Sequence, residues 1–250
     1  MSPMPSTAMV LAAGLGTRMR PLTDHRPKPL IEVAGKALID HSLDRFAQAG
    51  VARAIVNVHY RADQMEAHLT ARTRPRIIIS DERALRLETG GGLKHARAHL
   101  GEAPVFCTNT DAILVDADGP EACAALAATW RNDAMDALLL VVPIGLASGY
   151  DGDGDFDLGA DGSLDWRRGA SAPFVYTGLQ IIRPLLLDGA PEGPFSLRVL
   201  WDKARAAGRM RGLLHNGPWM HVGDEAGLAL AEAFFDKQRH DNQPKRGVLR

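Results

Sequence analysis

The stretch Ala8-Met9-Val10-Leu11-Ala12-Ala13-Gly14-Leu15-Gly16-Thr17-Arg18 constrains this chain more than any other. Its apolar first half reads as a short buried strand. Gly14 and Gly16 then end that strand, because two glycines let the backbone turn sharply and come close to a ligand. Thr17 and Arg18 follow at once, and Lys28 stands between Pro27 and Pro29. The prolines stiffen the segment that carries the ammonium. Backbone N–H groups, a hydroxyl, a guanidinium and an ammonium are thereby concentrated in one loop. That inventory suits a polyphosphate: N–H groups and Thr17 donate to oxygens, Arg18 binds bidentately and Lys28 supplies a mobile charge. The loop lacks the third glycine of a dinucleotide fingerprint and the Gly-Lys-Ser/Thr of a P-loop, so an NAD(P)-dependent oxidoreductase is disfavoured.

Downstream, the periodicity alternates between strand and helix. Helices are expected over Leu38 to Ala49, Ala62 to Leu69, Gly91 to Leu100, Glu121 to Arg131, Phe195 to Ala207 and Asp224 to Gln238. In the first of these Ile39, Leu43 and Phe46 share a face, and Gly50 can cap it. Strands are expected over Ala54 to Val58, Arg76 to Ser80, Val105 to Thr108, Ala137 to Pro143, Pro173 to Ile182, Arg211 to His215 and Trp219 to Val222. This order implies an α/β fold: a Rossmann-like, mostly parallel, doubly wound sheet with helices on both faces. Ligands on such a sheet sit beyond the carboxyl ends of the strands. The Gly14 loop and Asp111 both lie just past a strand end, so they can share one crevice.

The Gly- and Asp-rich run Ser148 to Asp165 lacks the order and the closing Glu of a calcium loop, and hairpins are expected there, turning at Ala160-Asp161-Gly162-Ser163. No repeat or linker interrupts the 250 residues. One domain is expected, with 8–115 as the half that carries the glycine loop, 116–240 as a second half or lid, and 241–250 as a frayed tail. Lys and Arg total 29 against 30 Asp and Glu. Phosphate chemistry must therefore rest on local placement, and a nucleic-acid partner is not expected. Met1 to Thr7 has neither the charge nor the apolar run of a signal peptide, and no apolar stretch is long enough to span a membrane. Cys107 and Cys123 form no ligand cluster and read as core thiols, which fits a reducing cytoplasm. Oligomeric state stays open between monomer and homodimer.

Over its whole length, Leu11 to Leu30 resembles the signature of the sugar-1-phosphate nucleotidyltransferases, the nucleotide-sugar pyrophosphorylases. The resemblance implies that Leu11, Ala13, Gly14, Gly16, Thr17 and Arg18 hold the phosphates of an NTP, and that Lys28 reaches the reacting phosphate. Arg18 and Lys28 are then the catalytic cations. Asn109-Thr110-Asp111 matches the family's metal-binding segment, with Asp111 a Mg²⁺ ligand and Asn109 beside the sugar. The segment Leu87 to Gly92 resembles that of the small bacterial uridylyltransferases acting on N-acetylmuramate 1-phosphate. There Gly90 and Gly91 would let backbone approach the base. Glu88, Asp155, Thr177 and Gly178 fall where relatives line the sugar pocket.

One departure stands out. The family carries Trp-x-Asp-x-Gly near its end, and this chain has Trp219-Met220-His221-Val222-Gly223. Imidazole is a poor Mg²⁺ ligand but suits Mn²⁺. His221 either ligates the metal, holds a metal-bound water, or leaves Asp111 to act with substrate oxygens alone. Asp224 reads either as a substitute ligand or as the cap of the last helix. Arg167 and Arg168 read as solvated charges, and His59 as a structural histidine.

The implied activity is transfer of a nucleoside monophosphate, UMP from UTP, to N-acetylmuramate 1-phosphate, with pyrophosphate released. Guanylyl transfer to mannose or heptose phosphate and cytidylyl transfer to phosphocholine are alternatives within the class. A non-catalytic nucleotide-sugar binder is the alternative outside it.

Overall fold

The structure is a computed structural model, and it describes residues 4–116 and 121–241. Almost all of the expected frayed tail lies outside the described residues. In chain order the elements are β1 (Thr7–Leu11), β2 (Glu32–Val33), β3 (Lys36–Ala37), α1 (Leu38–Gln48), β4 (Arg53–Val58), α2 (Ala62–Thr70), β5 (Arg76–Asp81), α3 (Glu88–His95) and α4 (Arg97–Leu100). They continue with β6 (Val105–Asn109), β7 (Ala112–Leu114), α5 (Ala122–Thr129), β8 (Ala137–Pro143), β9 (Ala147–Ser148), β10 (Phe156–Leu158), β11 (Leu164–Trp166) and β12 (Phe174–Ile182). The last are α6 (Arg198–Ala206), β13 (Met210–Leu214), β14 (Trp219–His221) and α7 (Glu225–Asp241).

Nine described strands form one sheet. Strands β6, β1, β4 and β5 lie side by side and parallel, with Val10 opposite Thr108 on one side and Val56 on the other. Strand β12 runs antiparallel to both β6 and β8, while β13 returns parallel to β8. The sheet is therefore mixed rather than mostly parallel. Strand β12 enters from the β10–β11 hairpin side, against which its first residue Phe174 pairs, and no α-helix between β8 and β12 turns it round. The second half of the chain adds its strands to the same sheet.

Helices cover both faces because alternate strand residues point to opposite sides. Ala8 and Val10 join Ile39, Leu43, Phe46, Met65 and Leu126 in one core, while Met9, Ile55 and Cys107 join Leu93, Leu200 and Trp201 in the other. The shared face of Ile39, Leu43 and Phe46 is buried as expected. Burial pushes the Cys107 and Cys123 thiols up to about 12. The expected hairpin forms between β10 and β11, closing at Gly162 with φ of 79°.

Candidate active site

A third, smaller core anchors the site. Met19, in the 3-10 turn Thr17–Met19, is fully buried with Ile31, Leu38, Ile113, Met220 and Val222. The arm that follows Gly16, the strand after Asp111 and the residues flanking His221 are thus fastened to one apolar plug. Pairing of β14 with β7 sets His221 opposite Ala112, and Val222 N–H donates to Asp111 O at 2.8 Å. Two residues 110 positions apart in sequence become neighbours through this ladder.

Lys28 opens the 3-10 turn Lys28–Leu30 and is only 9% exposed. Its stem lies against Gly16, where a Cβ would come within 2.8 Å of the Lys28 Cβ. Gly16 also has φ of 64°. Thr23 Oγ1 donates to Gly16 O at 2.8 Å and closes the arm. The Lys28 ammonium sits 3.0 Å from Asp111 Oδ2, and His221 Nε2 lies 3.7 Å from the same oxygen. Burial alone would raise the Asp111 carboxyl, but His221 and Lys28 outweigh it and hold it well below the usual carboxylate range.

His221 is held firmly. Its ring stacks on Trp219 at 8°, and its Nδ1 is 3.2 Å from Gly149 O. That carbonyl accepts from an Nδ1–H, which fixes the ring with Nε2 directed at the Asp111 carboxylate. At 3.7 Å the two atoms are too far apart for a hydrogen bond. One carboxylate and one imidazole are donors that could hold a divalent cation together with phosphate oxygens. Mn²⁺ fits the nitrogen better than Mg²⁺ does. Among the described residues no third His, Cys, Asp or Glu joins them.

A cavity of about 350 Å³ opens beside this cluster. One part of its wall is Leu11, Ala13 and Gly14, after β1; another is Arg86, Glu88 and Thr89, around the start of α3; Lys28, Asn109 and Asp111 also line it. Of the residues expected from sequence, seven are brought together here: Leu11, Ala13, Gly14, Lys28, Glu88, Asn109 and Asp111. Glu88 has φ of 59°, a left-handed conformation in which a non-glycine is strained. Gly178, at the bulge of β12 with φ of 93°, stands beside Asn109. Gly16, Thr17 and Arg18 lie outside the lining, and Thr17 and Arg18 are exposed on their turn.

Other expectations are placed differently. Helix α3 begins at Glu88, so Gly90 and Gly91 are inside its first turns rather than in an open loop. Their N–H groups donate to Phe195 O at 2.8 and 3.0 Å and are engaged within the protein. A Cβ at Gly90 would meet the Phe195 ring at 2.5 Å, and one at Gly91 would meet Gly193 O at 2.5 Å. The glycines make room for the strap leading into α6, which is what their small size serves here. Asp155 accepts from Tyr176 N at 2.9 Å and from the Tyr150 hydroxyl at 3.3 Å, so it braces β12. Thr177 is buried, donates to Leu140 O and lines a separate cavity of about 260 Å³ behind β7. Asp224 is a cap: its Oδ1 accepts from Gly227 N at 2.9 Å. Arg167 and Arg168 pair with Asp153 and Asp165, and His59 bonds to Glu82 O.

The sequence reading missed Asn57, Glu82 and Arg86. A polar amide within the apolar run Ala54 to Val58 was the available signal for Asn57.

Residues 8–145 match the family described as MobA-like NTP transferase domain. The chain belongs to this NTP transferase family. It is 52% identical over 238 residues to the N-acetylmuramate alpha-1-phosphate uridylyltransferase of Caulobacter vibrioides, spanning 93% of this chain and 98% of that one. The enzyme of the same name from Neisseria meningitidis serogroup B is 35% identical, spanning 91% and 97%. The crystal structure of UDP-glucose pyrophosphorylase complexed with UDP-glucose overlays with a TM-score of 0.78 at 16% identity, covering 94% of this chain and all of that one. This NTP transferase therefore has the nucleotide-diphospho-sugar transferase fold and is a sugar-1-phosphate nucleotidyltransferase. Among its described residues no helix is long and apolar enough to cross a membrane.

Proposed function

We propose that this chain transfers UMP from UTP to N-acetylmuramate 1-phosphate. The observation that carries the reading is the convergence of Lys28, Asp111 and His221, of which Lys28 and Asp111 line the same cavity as Gly14. The sugar assignment is supported by two relatives of that name at 52% and 35% identity.

A phosphate oxygen of the sugar phosphate bonds to the α-phosphorus of UTP, and the bond from that phosphorus to the bridging oxygen breaks in line. Pyrophosphate leaves with the electron pair. The protein supplies position and charge. Backbone at Ala13 and Gly14 borders the phosphates. The Lys28 ammonium balances the charge that gathers on the oxygens around the α-phosphorus. Arg18, on its exposed turn, is free to reach the outer phosphates. Asp111 and His221 would hold Mg²⁺ or Mn²⁺. When bound, such a cation neutralises phosphate charge and helps orient the reacting oxygens. Trp219 and Gly149 keep the His221 ring in one orientation, with Nε2 directed at Asp111. Asn109 and Glu88 offer polar atoms to the sugar.

The test is pyrophosphate release, read after pyrophosphatase as phosphate, across the four NTPs with N-acetylmuramate, mannose and other sugar 1-phosphates, each with Mg²⁺ and with Mn²⁺. UTP with N-acetylmuramate 1-phosphate is expected to give the highest kcat/KM. Preference for GTP with mannose 1-phosphate would overturn the substrate assignment. Nucleotide binding without pyrophosphate release from any pair would make the chain a binder rather than an enzyme.

A further inference from the structure

The two walls of the cavity come from distant parts of the chain, and a buried hydrogen-bonded chain joins them. Strand β1 leaves the sheet at Ala12, so the Ala12 N–H loses its ladder partner. Asn57, at the end of the neighbouring β4, replaces that partner: its Oδ1 accepts from Ala12 N at 2.6 Å. This fixes the amide orientation and turns Nδ2 towards Glu82, to whose Oε1 it donates at 2.8 Å. Glu82 Oε2 in turn accepts from Leu87 N at 3.2 Å. Leu87 lies between Arg86 and Glu88, which form the second part of the cavity wall. Asn57 and Glu82 are each 2% exposed, and Asn57 also borders the cavity. Gly92 leaves them room, since a Cβ there would stand 2.7 Å from both Asn57 Nδ2 and Glu82 Oε1.

The direction of every donor along this chain is set. Ala12 donates, Asn57 accepts and donates, and Glu82 accepts at both oxygens from Asn57 and Leu87. Nothing in it belongs to the phosphate grip or to the cation cluster. We propose that Asn57 and Glu82 are positioning residues that set the spacing between the Ala13–Gly14 wall and the Arg86–Thr89 wall, and so determine nucleotide affinity. The inference rests on the cavity being the nucleotide site. Buried polar chains hold geometry tightly because each unmade bond in them is costly. A mismatch of one donor moves a wall, and a displacement of about 1 Å in such a site costs up to about a hundredfold.

The polarity permits a swap. Asn57→Asp places two acceptors against each other at the Glu82 contact. Glu82→Gln leaves a donor facing either Leu87 N–H or Asn57 Nδ2. Together the two substitutions restore a complete chain: the new carboxylate accepts from Ala12 N–H and from the new amide, whose oxygen accepts from Leu87 N–H. The net charge equals that of the wild type.

The experiment titrates UTP with Mg²⁺ into wild type, Asn57→Asp, Glu82→Gln and the double variant by calorimetry, with no sugar phosphate present. Steady-state KM values for UTP and for the sugar phosphate, and Tm, are measured beside it. Each single variant is expected to weaken UTP binding about tenfold or more, and the double variant to return within about threefold of wild type, as expected for directly coupled residues. The sugar-phosphate KM of the single variants is expected to rise as well, because Glu88, which offers a polar atom to the sugar, follows Leu87 directly in the segment that the chain holds. Single variants that lower Tm but bind UTP as wild type does would overturn the proposal, as would a double variant no better than the singles. If one single variant does not fold, the other and the double still decide. A wild-type chain that binds none of the four NTPs would overturn the reading of the cavity, and this inference with it. Wild-type binding with unchanged variants would overturn the inference alone.

Discussion

Replacing Lys28 with methionine removes the charge and keeps the stem. The stem matters, because it fills the space beside Gly16. The ammonium is 3.0 Å from Asp111 Oδ2, and the two side chains are 11% and 30% exposed. At an effective dielectric of about 20 the gross attraction of such a pair is about 5 kcal/mol, before the desolvation that offsets much of it. The larger effect is catalytic. Charge develops around the α-phosphorus in the transition state, and losing one preorganised electrostatic contact there costs about 3 kcal/mol, or about a hundredfold in kcat. KM for UTP is expected to change less, since ground-state phosphates keep their backbone contacts. Pyrophosphate release at saturating substrates measures kcat, and a thermal melt confirms that the variant is folded. A folded Lys28→Met enzyme with kcat within about threefold of wild type would refute the reasoning, because the ammonium would then not face the reacting phosphate.

Three further outcomes are expected. His221→Asp should shift metal preference, lowering the ratio of Mn²⁺- to Mg²⁺-supported kcat/KM by about tenfold, since it replaces nitrogen with a hard oxygen donor; an unchanged ratio in the assay with each metal would remove His221 from the cation site. Gly149→Ala should destabilise by about 3 kcal/mol or more in urea titration, because Gly149 has φ of 69° and a Cβ there would lie 2.4 Å from His221 O; a change under 1 kcal/mol, taken as about the size of an ordinary surface substitution, would contradict the close packing around His221. Burial lowers the pKa of both His41 and His215. The folded state therefore holds these rings neutral where the unfolded chain protonates them, so stability is full above about pH 6.5 and declines as pH falls below it; a Tm that is flat or rising from pH 7 to 5.5 would be incompatible with that.

What was legible in the sequence was local. Gly14, Gly16, Lys28 and Asp111 could be read because a strand that breaks into glycines, a proline-bracketed lysine and an acid after a strand each carry their meaning within a few residues. The apolar faces of α1 and the parallel order of β1, β4, β5 and β6 followed from periodicity for the same reason. Tertiary contacts decided the rest. The reversal of β12 depends on which strands it meets, not on its own residues. Gly90 and Gly91 serve Phe195 and Gly193, more than 100 positions away, and no local pattern announces a partner at that distance. Asp155 and Thr177 have the chemistry of sugar ligands, but their polar atoms are already satisfied by Tyr176, Tyr150 and Leu140.

The sequence by itself determined that a glycine turn follows the opening strand and that an aspartate stands just past another strand. The family resemblance already placed His221 with that aspartate; only the folded chain decided their 3.7 Å approach, and that Asn57 and Glu82 tie the cavity walls together. The physical reason is range. Backbone propensity and hydrophobic period act over a few residues, whereas a hydrogen bond or a close glycine contact depends on where the whole chain has brought its partner.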